Sequence, residues 1–266
     1  MGISDFFLKD LLPDQYIYEG ESHWMVFRRH KRESFQIAGQ APGGLADLGS
    51  GNGMTSLKKA LANGAAGLIL GPAHFIFNIL EFDRLPWQGK LRRELVDWRL
   101  EKIFPEDISG YEHRSFTLDQ RRILSLLVRK QPLREREQRL REQGIPLTYI
   151  GSSTVEIINQ LFRPRIRPDY FIEIDGSVTV LVFQNASRPI YIRKFKADSA
   201  ADTAGEIVKT FQFVSTNQRL QFRSYALINH QGNVRLEAKI EAELTELQLS
   251  RQPTADQKFP FIPAGR

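Results

Sequence analysis

The 266-residue sequence contains no cysteine, which excludes disulfides, thiolate catalysis and Cys-ligated zinc and agrees with a reducing compartment. Long apolar runs are missing too. The most membrane-like stretch, Ala65 to Leu80, falls short of the roughly 20 apolar residues of a spanning helix and is broken by Pro72, His74 and Asn78. It reads as two buried strands, and no direct membrane span is expected. The opening MGISDFFLKDLLPDQ carries Asp5 and Asp10 where a secretory signal would be basic and then continuously apolar, so no export signal is read there. The histidines, at positions 23, 30, 74, 113 and 230, include no pair spaced to share one helical face, so no metal site is expected. Gly151-Ser152-Ser153 lacks the second glycine of a nucleophile elbow, and no set of carboxylates converges to hold two metals. No catalytic residue is assigned.

What is present is an ordinary globular composition, 41% hydrophobic and 26% charged, enough for a core in one large or two small domains. The net charge of +6 permits an anionic partner without requiring one. Its basic clusters, Arg28 to Glu33, Leu133 to Glu142 and Phe162 to Pro168, are scattered along the chain and read as solvated surface.

Alternating apolar and polar residues predict a strand meander in QYIYEG, SHWMVFRR and ESFQIAGQ, after a short helix around Phe6 to Leu12. A glycine-rich loop, Gln40 to Gly53, leads to a helix over Thr55 to Ala62 and to strands over Gly67 to Leu70 and His74 to Phe82, with His74 in or near the core. Paired strands follow at Tyr111 to Leu118 and Arg121 to Lys130, then a charged helix over Leu133 to Gln143 and a strand over Pro146 to Ile150. Ser153 and Glu156 have the spacing of a capping box for a helix ending near Phe162. The prolines of Pro164 to Pro168 favour extended chain and mark the domain boundary. Beyond it come strands over Tyr170 to Ile174, Ser177 to Phe183 and Pro189 to Phe195, a helix from Ala201 to Val214, a strand from Ser224 to Ile228 and a helix from Leu236 to Leu244. Both halves run strand, strand, strand, helix, strand, helix, which predicts two related α/β lobes around mixed sheets.

The stretch Leu85 to Asp107 is read as a helix opening near Pro86 and closed by Pro105. Leu91, Leu95 and Trp98 form one apolar stripe, and Val96, Leu100 and Ile103 a second, which predicts protein on both sides of the helix.

The motif LADLGSGNGMTSLKKAL, Leu45 to Leu61, looks like the glycine loop of S-adenosylmethionine-dependent methyltransferases. Gly39 to Gly44 precede it where a buried strand should end, and the next strand ends in Leu70-Gly71 rather than in a carboxylate for the ribose. A loop at Gly49, Gly51 and Gly53 with no bound cofactor is the better expectation.

Set out in this order, the chain resembles the actin-like proteins of type IV pilus and type II secretion machines, the PilM family and the cytoplasmic part of GspL. The resemblance rests on LPWQGKLRRELVDWRLEKIFPEDISGYEHRS, LREREQRLREQGIPLTYIGSSTVEIINQLF, YFIEIDGSVTVLVFQNASRPIYIRKF, AGEIVKTFQFV and the ending FIPAGR. It implies an α/β, actin-like fold of two ribonuclease-H-like lobes, residues 1–163 and 164–266, with an inserted subdomain at about 85–131 in the first. It further implies phosphate turns at Tyr18 to Ser22 and Glu173 to Thr179 and a nucleoside turn at Leu227 to Gly232. The nucleotide-facing candidates are therefore Gly20, Glu21, Ser22, Asp175, Gly176, Ser177, Thr179 and Gly232, and residual ATP is the cofactor they could meet. Each turn departs from the family pattern. Tyr18 replaces a metal-orienting aspartate, Asp175 replaces a phosphate-facing glycine and would repel a triphosphate, and the nucleoside turn keeps one glycine. The subdomain that forms part of the nucleoside wall is reduced to Lys196 to Gly205.

The implied function is a non-catalytic scaffold without cofactor or metal, cytoplasmic and peripheral at a bacterial inner membrane. Its expected partner is a membrane-anchored assembly protein of the PilN or GspM kind, with the assembly ATPase as a second candidate and no nucleic acid. Leu85, Trp87 and Leu91 are the candidate partner contacts, with Trp98 expected in the core. Two other classes stay open at this point, a methyltransferase working through Gly49 to Gly53 and a non-catalytic nucleic-acid-binding protein of ribonuclease-H-like fold.

Overall fold

The computed structural model describes residues 13–31, 34–45, 52–62, 64–104, 106–161, 168–185 and 188–252. The expected helix over Phe6 to Leu12, Gly49 and Gly51 of the glycine loop, most of the Pro164 to Pro168 linker and the FIPAGR ending lie outside these residues. The chain opens with β1 (Gln15–Glu19), β2 (His23–Lys31) and β3 (Ser34–Pro42), then α1 (Asn52–Ala60) and β4 (Ala66–Leu70). Next come β5 (Phe75–Glu81), α2 (Gly89–Ile103), β6 (Tyr111–Thr117) and β7 (Arg122–Arg129). The first lobe closes with α3 (Lys130–Glu142), β8 (Leu147–Ser152) and α4 (Ser153–Leu161). The second contains β9 (Tyr170–Asp175), β10 (Val178–Asn185), β11 (Arg188–Lys196), α5 (Ala200–Gln218), β12 (Ser224–Asn229), α6 (Val234–Glu246) and β13 (Ser250–Arg251).

The two main sheets have one plan. Their orders are β3-β2-β1-β4-β8 and β11-β10-β9-β12-β13, and in each an antiparallel meander of three strands is extended by two parallel strands. The central strands β1 and β4 are buried at every residue; β4 is the continuous apolar run expected of a strand covered on both faces, whereas β1 also buries Gln15 and Glu19. Alternation along β9 sorts its side chains. Tyr170, Ile172 and Ile174 enter the core shared with α5 and α6, through Ile207, Val214, Leu236, Ile240 and Leu244. Phe171 joins Val180, Val182, Ala226 and Ile228 in the core that continues into the first lobe. Glu173 and Asp175, two and four residues beyond Phe171, are fully buried on that same side of the strand, toward the first lobe.

The third sheet, β5-β7-β6, is a separate antiparallel layer carrying α2 over a small core of its own, made of Leu80, Val96, Leu100, Tyr111, Ile123 and Leu127. The strand at β5, read from sequence as part of the first lobe, pairs with β7, so this unit begins at Phe75 rather than at Leu85. Only one side of α2 is covered. Val96 and Leu100 are buried, while Leu91, Trp98 and Ile103 remain exposed, which corrects the expectations of a helix packed on both sides and of Trp98 in the core. The largest fully buried side chain is Trp24 of β2. His74 ends a short 3-10 turn, Pro72–His74, rather than lying in a strand.

The expected reciprocal cap of α4 is replaced by core contacts. The Ser153 hydroxyl donates to Glu173, and the Glu156 carboxyl accepts from the Tyr149 hydroxyl.

Candidate functional site

The hairpin turns β1–β2 and β9–β10 meet across the boundary between the lobes. Glu21 N–H donates to Asp175 Oδ2 at 2.8 Å, and Ser177 N–H donates to Glu21 Oε2 at 2.7 Å, so each turn's backbone donor is taken by the other turn's carboxylate. Ser177 Oγ donates to both Glu21 oxygens, at 2.9 and 2.8 Å, and Lys196 Nζ donates to Glu21 Oε1 at 2.8 Å. Gln231 Nε2 reaches Ser22 Oγ at 3.3 Å, which brings the turn after β12 to the same place. Burial pushes the Glu21 carboxyl up, but the hydrogen bonds from Lys196 and Ser177 outweigh it and hold the group below the ordinary range. Asp175 goes the other way. Burial, helped by the neighbouring Glu173 charge, raises it against the opposing pull of His230 and the Glu21 N–H.

The glycines here permit a close approach of the carboxylates to the backbone. A Cβ on Gly20 would stand 2.6 Å from Asp175 Oδ1, and one on Gly71 would stand 2.5 Å from Asp175 Oδ2. Gly176 has φ +62°, and a Cβ there would stand 2.5 Å from Glu21 Oε2.

Beneath the turns lies a buried polar cluster. Glu173 accepts from Ser153 Oγ and Thr154 Oγ1, and one of its oxygens is 2.9 Å from His230 Nε2. The Tyr18 ring stacks on His230, with centroids 4.6 Å apart and planes at 16°. His23 Nδ1 lies 3.6 Å from Asp175 Oδ1. Burial, with His230 adding to it, pushes His23 down to about 4, so it is neutral at physiological pH. Burial first, and then the Asp175 and Glu173 charges, drive the Tyr18 hydroxyl well above its ordinary range. On the first-lobe side, Arg136 of α3 grips Glu19 through Nε at 2.7 Å and Nη2 at 3.0 Å, and Leu45 N–H adds a third bond to that carboxylate. Chemically, Glu19, Glu21 and Glu173 are acceptors whose donors are supplied from within the fold.

The structure thus brings together Gly20, Glu21, Ser22, Asp175, Gly176 and Ser177. Thr179 is buried on β10, where its Oγ1 has no hydrogen-bond partner among the described residues. Gly232, at φ +64°, shapes the turn that delivers Gln231. Sequence reasoning missed Tyr18, His23, Glu173 and His230 as one cluster. Its metal test for histidines used local spacing, and these two belong to different lobes.

The partner-contact candidates lie elsewhere, on the small unit. Trp87 is 85% exposed, just before α2, with Leu91 at 47% and Trp98 at 51% on the outward side of the helix. Arg92 locks the start of α2 by bonding Pro86 O, Trp87 O and Thr117 Oγ1. Leu85 is half-buried against the small core. Among the methyltransferase candidates, Gly53 lies inside α1, and the loop follows β3, the outermost strand of its sheet rather than a central one.

No family model and no curated protein matches the chain. Solved structures do. The chain is similar to a protein of the PilM-PilN type IV pilus biogenesis complex, with a TM-score of 0.66, 14% identity and coverage of 91% of this chain and 89% of that one. It is also similar to the cytoplasmic domain of EpsL, an inner-membrane component of the Vibrio cholerae type II secretion system, with a TM-score of 0.57, 9% identity and coverage of 92% and 98%. A Bacteroides thetaiotaomicron protein of actin-like ATPase fold and unknown function matches with a TM-score of 0.59, 9% identity and coverage of 91% of each chain. The fold is actin-like.

Proposed function

From an actin-like fold whose cleft turns already hold each other, we propose a non-catalytic scaffold of a type IV pilus or type II secretion platform. It would work on the cytoplasmic side of a bacterial inner membrane and dock a membrane-anchored assembly protein of the PilN kind, with the assembly ATPase as a further partner. Similarity in fold to the PilM-PilN complex and to the EpsL cytoplasmic domain supports the kind of machine and of partner. Among the described residues no helix is long and apolar enough to cross a membrane.

The observation that carries the docking reading is the outward apolar stripe of Trp87, Leu91 and Trp98. Tryptophans are favoured anchors, because they bury large areas and are enriched among residues whose truncation costs binding about 2 kcal/mol or more. Changing Trp87 to alanine should leave the melting temperature in place and weaken capture of the cytoplasmic segment of the inner-membrane partner by at least about tenfold. Unchanged capture would move the site away from α2.

Nucleotide does not fit this reading. The Ser177 N–H that a phosphate would use is occupied by Glu21, and the buried Asp175 would face the added negative charge. Calorimetric titration with Mg-ATP should give no heat of binding, and micromolar affinity or measurable turnover would refute it.

A further inference from the structure

The two turns exchange carboxylates across the boundary between the lobes. Ser177 N–H, Ser177 Oγ and Lys196 Nζ converge from the second lobe on one point. A backbone N–H beside a positive-φ glycine, a hydroxyl and an ammonium together make an anion site on general chemical grounds. The anion in it is Glu21, which belongs to the first lobe. The exchange is returned by Asp175, which crosses from the second lobe to accept the Glu21 N–H and sits against Gly20 and Gly71. The backbone of both lobes is shaped to these carboxylates, since a Cβ at Gly20, Gly71 or Gly176 would strike one of them.

We infer that Glu21 is a tethered anion that latches the turns together, so that the lobes keep their relative position with no ligand between them. The inference rests on contacts between the lobes and is independent of the partner's identity. Its competitor is the apolar contact formed by Phe171, Val180, Val182, Ala226 and Ile228 in the shared core, aided by Lys194, which donates to Phe75 O. If that contact alone fixes the lobes, Glu21 is dispensable.

The test uses the full chain. The absence of native cysteine allows a unique spin-label pair through Lys58→Cys on α1 and Gln218→Cys on α5, both exposed. In a Glu21→Ala background, the Ser177 amide should exchange at least about tenfold faster, and the distance distribution between the labels should broaden, while amides inside α6 keep their protection. Sodium acetate or inorganic phosphate, titrated in separate arms, should fill the vacated anion site. Either should reverse the broadening saturably in Glu21→Ala and have no effect on the parent chain. Ser177 exchange and label distances equal to those of the parent would show that the other contacts between the lobes, apolar packing and the Glu173 bonds to Ser153 and Thr154 among them, fix their position, and would overturn the latch. Loosening that neither anion reverses would mean that Glu21 acts by bulk, which overturns it equally. Should Glu21→Ala fail to fold, Glu21→Gln and Ser177→Ala keep most of the bulk and are read by the exchange of the amide at position 177 and by the label distances alone, since neither vacates the anion site. No loosening in either variant would count against the latch.

Discussion

The two lobes share one strand order but differ in what interrupts it. In the first, the path from β4 to β8 carries the β5-β7-β6 sheet and α2; in the second, β12 reaches β13 through α6 alone. The shared part supplies the turns that join the lobes, and the added part supplies the exposed apolar surface. The added unit keeps a small core of its own under α2, while the other face of its sheet, through Phe75, Phe116, Leu124 and Leu126, packs into the main core. The exposed stripe beside α2 and the joined turns lie on different elements, so each can be perturbed alone.

The largest expected effect is in the added unit. Leu100 is fully buried there, and Leu100→Ala should cost about 2–5 kcal/mol. Hydrogen exchange should show the loss in β5, β6, β7 and α2, with the second lobe's strands still protected. Equal loss of protection in β9 and β12 would mean that the unit and the lobes open together.

Next comes a buried carboxyl of the first lobe, on α4. Burial raises Glu156 to about 7, against hydrogen bonds from Tyr149 and Asn159 that lower it. A folded pKa above the unfolded value near 4.5 means that the folded state holds the proton longer. Its contribution is fully present below about pH 4.5 and is lost as pH rises through about 7. His23 has the opposite sign. Its folded value near 4 lies below the unfolded 6.5, so its contribution is present above about 6.5 and is lost as pH falls through about 4. The two partly cancel in the parent chain. Glu156→Gln isolates one of them, and its stability relative to the parent should rise by up to about 3 kcal/mol between pH 4 and pH 8 in urea unfolding. A flat difference would show that Glu156 is ionised in the folded state.

Two glycines of the second lobe sharpen the account of the turns. Gly176 and Gly232 have nearly equal φ, +62° and +64°, yet a Cβ at Gly176 meets Glu21 whereas one at Gly232 meets nothing within 4 Å. Alanine at Gly232 should cost about 1–2 kcal/mol from backbone strain alone, and alanine at Gly176 measurably more. Equal melting temperatures would mean that Glu21 yields freely. The smallest effect belongs to Trp87→Ala, which at 85% exposure should change stability by less than about 0.5 kcal/mol.

Much of this was legible from residue order. The apolar run AGLIL announces a strand covered on both faces, and the repeated order of elements announces two lobes of one plan. Both signals are local, since periodicity and turn residues act within a few positions of one another. The alternation of YFIEID even fixes Glu173 and Asp175 on the same face as Phe171. What the sequence by itself could not decide is what that face meets. Glu21 and Ser177 are 156 residues apart, and their hydrogen bond depends on how two complete sheets are set against each other. The same holds for α2. Its spacing shows two apolar stripes, but only the tertiary structure decides that Val96 and Leu100 are covered and that Trp98 is not, because burial is a property of the neighbouring surface rather than of the helix.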